Sequence, residues 1–348
     1  MSSTSSRSSS PPTSPQVSAT TRMAWRGWTA EVPPTRRPAP ARAGVLRNCD
    51  DRSILRTLSP ARMRENGVVH GNSRPLEKDV VRDLRRELSY GQYLRLDRLL
   101  DAQHPVSEPE HHDELLFIIQ HQTVELWLKL ILHELRTARE HLARDELKPA
   151  LKQLARVKHV QHTLTEQWSV LATLTPAEYV EFRGFLGRSS GFQSYQYRAI
   201  ELILGNKNAE MLEVFAHDEF AHELLNGLLK EPSVYDEFVR LLHRRGHDVP
   251  AAFLQRDVSL PHTFTPELVP LFRGIYETAA ENWDAYEACE ELVDLEENFQ
   301  FWRFRHLKTV ERTIGLKHGT GGSSGVSFLR RALELTFFPE LYAVRTEI

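Results

Sequence analysis

The sequence is poor in cysteine. Only Cys49 and Cys289 occur in 348 residues, far apart and in unlike surroundings. That excludes a disulfide framework and a cysteine-based zinc site, and it fits a reducing cytoplasm. Long apolar runs are also missing. The longest strictly apolar stretch is "LLFII", Leu115–Ile119, so no membrane partner is expected. The formal net charge is only −3, which gives no reason to expect a nucleic acid or another polyanion. No segment alternates Val, Ile, Thr and aromatics as strands do, and no internal repeat is visible. What remains is ordinary for a soluble globular chain, with 41% hydrophobic and 26% charged residues. Histidine stands out: there are 16, and histidine is both the commonest metal ligand and the usual acid–base near neutral pH.

Residues 1–62 differ from the rest. They contain ten Arg, no Lys, three acids (Glu31, Asp50 and Asp51), eleven Ser and eight of the 19 Pro. Such a segment buries too little apolar surface to offset its ordering entropy, so disorder is expected. A transit peptide would also be Arg- and Ser-rich, but the prolines oppose the helix it needs, and a nucleic-acid tail has no other support. The preferred expectation is that translation starts near Met63, since Arg without Lys, with Ser, Pro and Ala, is what GC-rich upstream DNA encodes. Peptides from 1–62 in the native protein would refute it. Residues 63–348 then form a single helical domain.

From residue 76 onward the pattern is helical. "LEKDVVRDLRREL" places apolar residues at 76, 80, 81, 84 and 88, which predicts an amphipathic helix. Helices are also predicted over 111–143, which is apolar nearly all round near its start and therefore central, and over 148–172. "TPAEYVEF" predicts a capping box, with Thr175 at the N-cap, Pro176 at the first helical position and Glu178 reaching back. "TPEL" at Thr265 is a weaker start, opening one or two long helices that run to about residue 315. "SSGVSFLRRALEL" gives the last helix, with Ser323 or Ser324 as its cap. The fold class is all-α.

Several motifs compete for a chemical role. "GRSSG" (187–191) has the form of a nucleophile elbow, but that motif needs a strand before it, so a loop between helices is expected. "HGTGGSSG" (318–325) lacks the lysine of a phosphate loop; it is either a flexible connection or a backbone that comes close to a ligand, with Thr320 at that ligand. Two E-x-x-H pairs, Glu108–His111 and Glu219–His222, have the spacing of di-iron bundles. Pro109 puts the first at a helix start and the second lies in a polar stretch, so surface positions are expected. In "HHDELLFIIQHQTVELWLKL" (111–130), helical spacing puts Glu114, Phe117, His121, Glu125 and Leu128 on one side. His121 is then either a core histidine or a functional one, while His111 and His112 are expected in solvent. In "LEENFQFWRFRHLKTVER", Leu295, Phe299, Trp302, His306 and Val310 share a face, with Arg303, Arg305, Lys308 and Arg312 nearby. One imidazole on an apolar wall beside cations suits haem; a core histidine on a basic helix is the plainer alternative.

These blocks together resemble one family. "SYGQYLRLDRLL", "HHDELLFIIQHQTVELWLKL", "LTEQWSVLATLTPAEYVEFR", "SSGFQSYQYR", "ILGNKN", "FQFWRFRHLKTVERTIGLKHGTGGSSG" and "LTFFPELY" are similar, in that order, to the tryptophan 2,3-dioxygenase family. The resemblance covers roughly 88–348, is less distinctive over about 215–265, and has no counterpart to the amino-terminal extension. It implies an all-α cytoplasmic homotetramer with one haem b per subunit. Such an enzyme opens the indole C2–C3 bond of L-tryptophan with O2 to give N-formyl-L-kynurenine, the first step of tryptophan catabolism by the kynurenine pathway. It also implies residue roles: His306 as axial haem ligand, and His121 as the distal histidine bonding the indole N–H. Phe117 would pack on the indole, Arg183 helped by Tyr179 would pair with the substrate carboxylate, and Thr320 would contact the amino-acid end. Trp168 and Ser190 would lie near the haem, and Tyr90, Tyr93 and Leu94 would line a neighbouring subunit's pocket. Two other classes remain open, a non-haem di-iron oxygenase and a non-catalytic haem protein; a Soret band and a turnover assay separate them.

Overall fold

The computed structural model describes residues 76–348; the expectations for segment 1–62 and for a start at Met63 fall outside the described residues. Residues 83–348 form one compact unit. Among the described residues there are helices and no strands. In chain order the helices are α1 (Tyr90–Leu94), α2 (Leu96–Leu99), α3 (His112–Ala143), α4 (Leu147–Leu171), α5 (Pro176–Arg183), α6 (Tyr195–Leu204), α7 (Glu219–Lys230), α8 (Val234–Arg244), α9 (Ala251–Leu254), α10 (Val269–Glu277), α11 (Trp283–Ile314), α12 (Val326–Ala332) and α13 (Pro339–Ala343).

Three long helices carry the core. Leu128, Ile131, Leu135, Ala138 and Leu142 of α3 follow the 3–4 spacing and are buried. So are Leu147, Ala150, Leu154, Val157, Leu164 and Trp168 of α4, and Leu292, Leu295, Phe299 and Trp302 of α11. α4 lies between α3 and α11. The α3–α4 turn needs only three residues because Asp145 takes a left-handed conformation (φ 63°), and Arg244 Nε donates to its carboxylate at 2.9 Å. By length and mean hydropathy α3 is apolar enough to cross a membrane; it packs against α4, α6 and α8, while Leu115, Ile119 and Leu126 stay exposed.

α5 starts as its sequence predicts. Thr175 Oγ1 accepts from the Glu178 amide and the Glu178 carboxylate accepts from the Thr175 amide. α5 packs against both α3 and α11, which places it across the gap between them. The loop before α3 is held by Glu114. Burial alone would raise this carboxyl, but the Ser107 hydroxyl and the Val106 and Ser107 amides donate to it and carry it below the usual range. "TPEL" forms a short 3-10 turn leading into α10, and two helices rather than one follow it. "GRSSG" is a loop, as expected.

Two expectations fail. No helix forms over 76–88. Its apolar row, including Leu84 and Leu88, stays exposed, and a segment this short does not hold a helix without a surface on which to bury that face. The cap of α12 is Gly325, with no side-chain bond from Ser323 or Ser324. Gly325 sits at φ 60°, and a Cβ there would lie 2.6 Å from the Lys317 carbonyl oxygen. The chain closes the neck of the 315–325 loop by this close approach instead of by a serine cap.

Candidate active site

Phe117, His121, Tyr179 and Arg183 come together on α3 and α5, and Trp168 and His306 on α4 and α11. On α3, Phe117 and His121 are in ring contact at 4.2 Å, as their four-residue separation requires. His121 Nδ1 lies 2.7 Å from the Phe117 carbonyl oxygen. A carbonyl only accepts, so Nδ1 carries the hydrogen, and Nε2 of the neutral ring is left as an acceptor. Burial lowers the His121 pKa, opposed by that carbonyl and by Glu125.

α5 supplies the next wall. Tyr179 lies 5.7 Å from Phe117, and the Arg183 guanidinium stands 6.0 Å over the Tyr179 ring. Phe182 was not singled out from the sequence. It is fully buried and stands edge-on to both Phe117 (5.6 Å) and Tyr179 (5.3 Å); its place three residues after Tyr179 was the available signal. Arg183 Nη2 donates to the His318 carbonyl at 2.5 Å, which brings the glycine-rich loop onto α5. The Thr320 hydroxyl donates to the Ser189 carbonyl. A Cβ on Gly321 would fall 2.7 Å from Ser190 Cβ, so only glycine permits this docking of loop 315–325 on loop 187–190.

His306 of α11 is half-buried, stacked on Trp168 at 4.7 Å with an angle of 7° and beside Trp302 at 5.7 Å. It makes no hydrogen bond among the described residues. Burial, and then the neighbouring His121, push its pKa down to about 4. It is therefore neutral near pH 7, the form that binds a metal. The buried indole nitrogens of Trp168 and Trp302 also lack partners among the described residues, although buried indoles usually find one. A flat aromatic wall with one free imidazole and two unsatisfied N–H groups fits a haem better than a bare ion.

Other expectations are corrected. Arg303 does not offer charge to this cleft: it is buried and committed to Glu201, Tyr197 and two carbonyls. Lys308 pairs with Glu311 at 2.7 Å. His111 is not free in solvent: it is half-buried, with Nδ1 3.2 Å from Glu181 of α5, while His112 is exposed. Glu108, Glu219 and His222 lie on the surface, and no group of three or more His, Cys, Asp or Glu among the described residues could hold a metal ion. Tyr90, Tyr93 and Leu94 are exposed on α1 and join none of the contacts described above.

The family model for tryptophan 2,3-dioxygenase matches residues 77–348. The chain is 71% identical over 283 residues to a tryptophan 2,3-dioxygenase of Kineococcus radiotolerans, covering 81% of this chain and 99% of that protein. It is 67% identical over 280 residues to one from Arthrobacter sp. (strain FB24) and 65% identical over 280 residues to one from Rhodococcus jostii, covering 80% of this chain and 99% of the relative in each case.

Proposed function

The chain belongs to the tryptophan 2,3-dioxygenase family, and from that premise we propose how its residues open the indole C2–C3 bond of L-tryptophan with O2, the reaction that begins the kynurenine pathway. The family is haem-dependent; haem b, one per subunit, is the form this reading takes, and His306 would hold its iron while Trp168, Trp302 and Ser190 would line its site. The bound cofactor supplies dioxygen binding and the redox chemistry, and both oxygen atoms enter the product, so no reductase partner is needed.

The protein's own part is binding and orientation. The Arg183 fork matches a carboxylate bidentately, and its bond to the His318 carbonyl pre-aims it. Thr320 adds a hydroxyl at the amino-acid end, and Tyr179 lies beside the guanidinium. Phe117 offers a face for the indole ring. The His121 Nε2 acceptor suits the indole N–H, so the ring is held at both ends. Addition at C2 or C3 does not require prior loss of the indole proton, so His121 orients the ring and is not an obligatory base. The observation that carries this reading is the pairing of an acceptor imidazole on α3 with an unbonded, neutral imidazole on α11. Tyr90, Tyr93 and Leu94 would complete the pocket of a neighbouring chain in a homotetramer, and a cytoplasmic location accompanies this reading.

The test is direct. Purified ferrous protein should show a Soret band and convert L-tryptophan and O2 to N-formylkynurenine. An analogue with sulfur in place of the indole N–H should lose about tenfold in kcat/KM, the worth of one hydrogen bond. Absence of the Soret band, or a band without turnover, would overturn the reading.

A further inference from the structure

Arg303 is a buried cation that touches neither the substrate groups nor His306. Its Nη2 donates to Glu201 at 2.9 Å and its Nε to the Tyr197 hydroxyl at 3.1 Å, both on α6. Its Nη1 donates to the Ala332 carbonyl at 2.9 Å and the Leu335 carbonyl at 3.3 Å. The guanidinium also lies over the rings of Phe299 at 4.7 Å and Phe337 at 5.3 Å, which meet each other edge-on. Every arm of the fork is used.

The position of these partners in the chain is what matters. α11 and α12 are the two stems of a hairpin whose connection is loop 315–325. Arg303 and Gln300 sit on the first stem. Ala332 is the last residue of the second stem, and Gln300 Nε2 also donates to the Leu335 carbonyl, at 2.6 Å. Arg303 thus ties the stems together at their base, with its charge at the carbonyl end of α12, where a cation is favoured. His306 follows Arg303 by three residues on α11, and Thr320 rides on the loop above. The loop neck itself is closed at Gly325 against Lys317, so a shift of one stem is passed to the loop.

We propose that Arg303 is a positioning residue for both halves of the site, setting His306 through α11 and Thr320, with the His318 carbonyl that aims Arg183, through the base of the α11–α12 hairpin. The inference rests on the functional reading above and adds a residue to it. Lysine cannot replace this arginine, because a single ammonium cannot serve an acid, a phenol and two carbonyls in one plane.

The experiment compares haem-loaded wild type with Arg303→Lys and Glu201→Gln. Arg303→Lys should raise KM for L-tryptophan about tenfold and speed haem release about tenfold, the scale of misplaced site groups, with a changed Soret spectrum. Glu201→Gln leaves the carbonyl bonds in place and should change both values less. A brace that served stability alone would lower the melting temperature and leave KM, haem release and the Soret spectrum as in wild type. That result in folded Arg303→Lys overturns the proposal. If Arg303→Lys does not fold, Gln300→Leu decides, since it removes one bond at the hairpin base and no charge. A rise in KM with haem retained supports the proposal, and an unchanged KM overturns it. Wild type that neither binds haem nor turns over tryptophan would instead remove the functional reading.

Discussion

At the scale of single residues, two histidines beside aromatic neighbours differ in one hydrogen bond, and the proposed function gives them different roles on that ground. His121 spends Nδ1 on the Phe117 carbonyl and keeps an acceptor for a ligand. His306 spends neither nitrogen on any of the described residues. His121→Ala should lower turnover without abolishing it, read as kcat with haem content normal. His306→Ala should release haem; full occupancy with an unchanged spectrum would sink the ligand assignment. The apo-protein should also respond to acid. His306 takes a proton at its ordinary value of 6.5 when unfolded but only near 4 when folded. Between those values the unfolded chain binds more protons, so stability falls as pH drops from about 6.5 to about 4 and is unaffected by this group above that window. Chemical denaturation of the apo-protein at several pH values checks the sign. The sequence exposed both histidines through their helical spacing. It could not give the hydrogen-bond partner of either, because neither carbonyl acceptance nor its absence is written in residue types.

At the scale of elements, local signals are legible where the element supplies its own partners. The α5 capping box is contained within four residues, so Thr175, Pro176 and Glu178 announce it. The long helices were legible because their apolar stripes are long. The 76–88 segment had a comparable stripe and no helix, because a stripe states what must be buried and not whether a surface exists to bury it. The α12 cap differs from its sequence signal for a related reason: serines near a helix start are common caps, but here the constraint is Gly325 packed on Lys317, distant by eight residues. Gly325→Ala meets both a strained φ and a 2.6 Å contact, so the neck of the loop must open. It should raise KM for L-tryptophan several-fold, about 1 kcal/mol or more of strain at a left-handed position, with haem content unchanged. Equal KM values in the two proteins would show the loop to be indifferent to its neck.

At the scale of the molecule, the candidate site draws on helices far apart in the chain: under the proposed function α3 brings Phe117 and His121, α5 brings Tyr179 and Arg183, and α11 with its loop brings His306 and Thr320. Tyr90 and Tyr93 are about three-quarters exposed, at 75% and 72%, on a short helix that buries none of its residues. Under the tetramer proposal, Tyr93→Ala should raise KM and weaken assembly, seen together by kinetics and by light scattering of eluted protein. A variant with unchanged mass and KM would remove α1 from the shared pocket. The sequence by itself determined the helical class, the long helices, the family and the residue types that can grip an amino acid and a flat ring, because periodicity and ordered motifs are properties of the chain alone. Only the tertiary structure decided that His111 meets Glu181, that Arg183 is aimed by the His318 carbonyl, and that Arg303 turns away from the cleft to tie α6, α11 and α12 together. Those pairings join residues 29 to 135 positions apart, and separation in sequence carries no record of which surfaces will meet when apolar faces are buried.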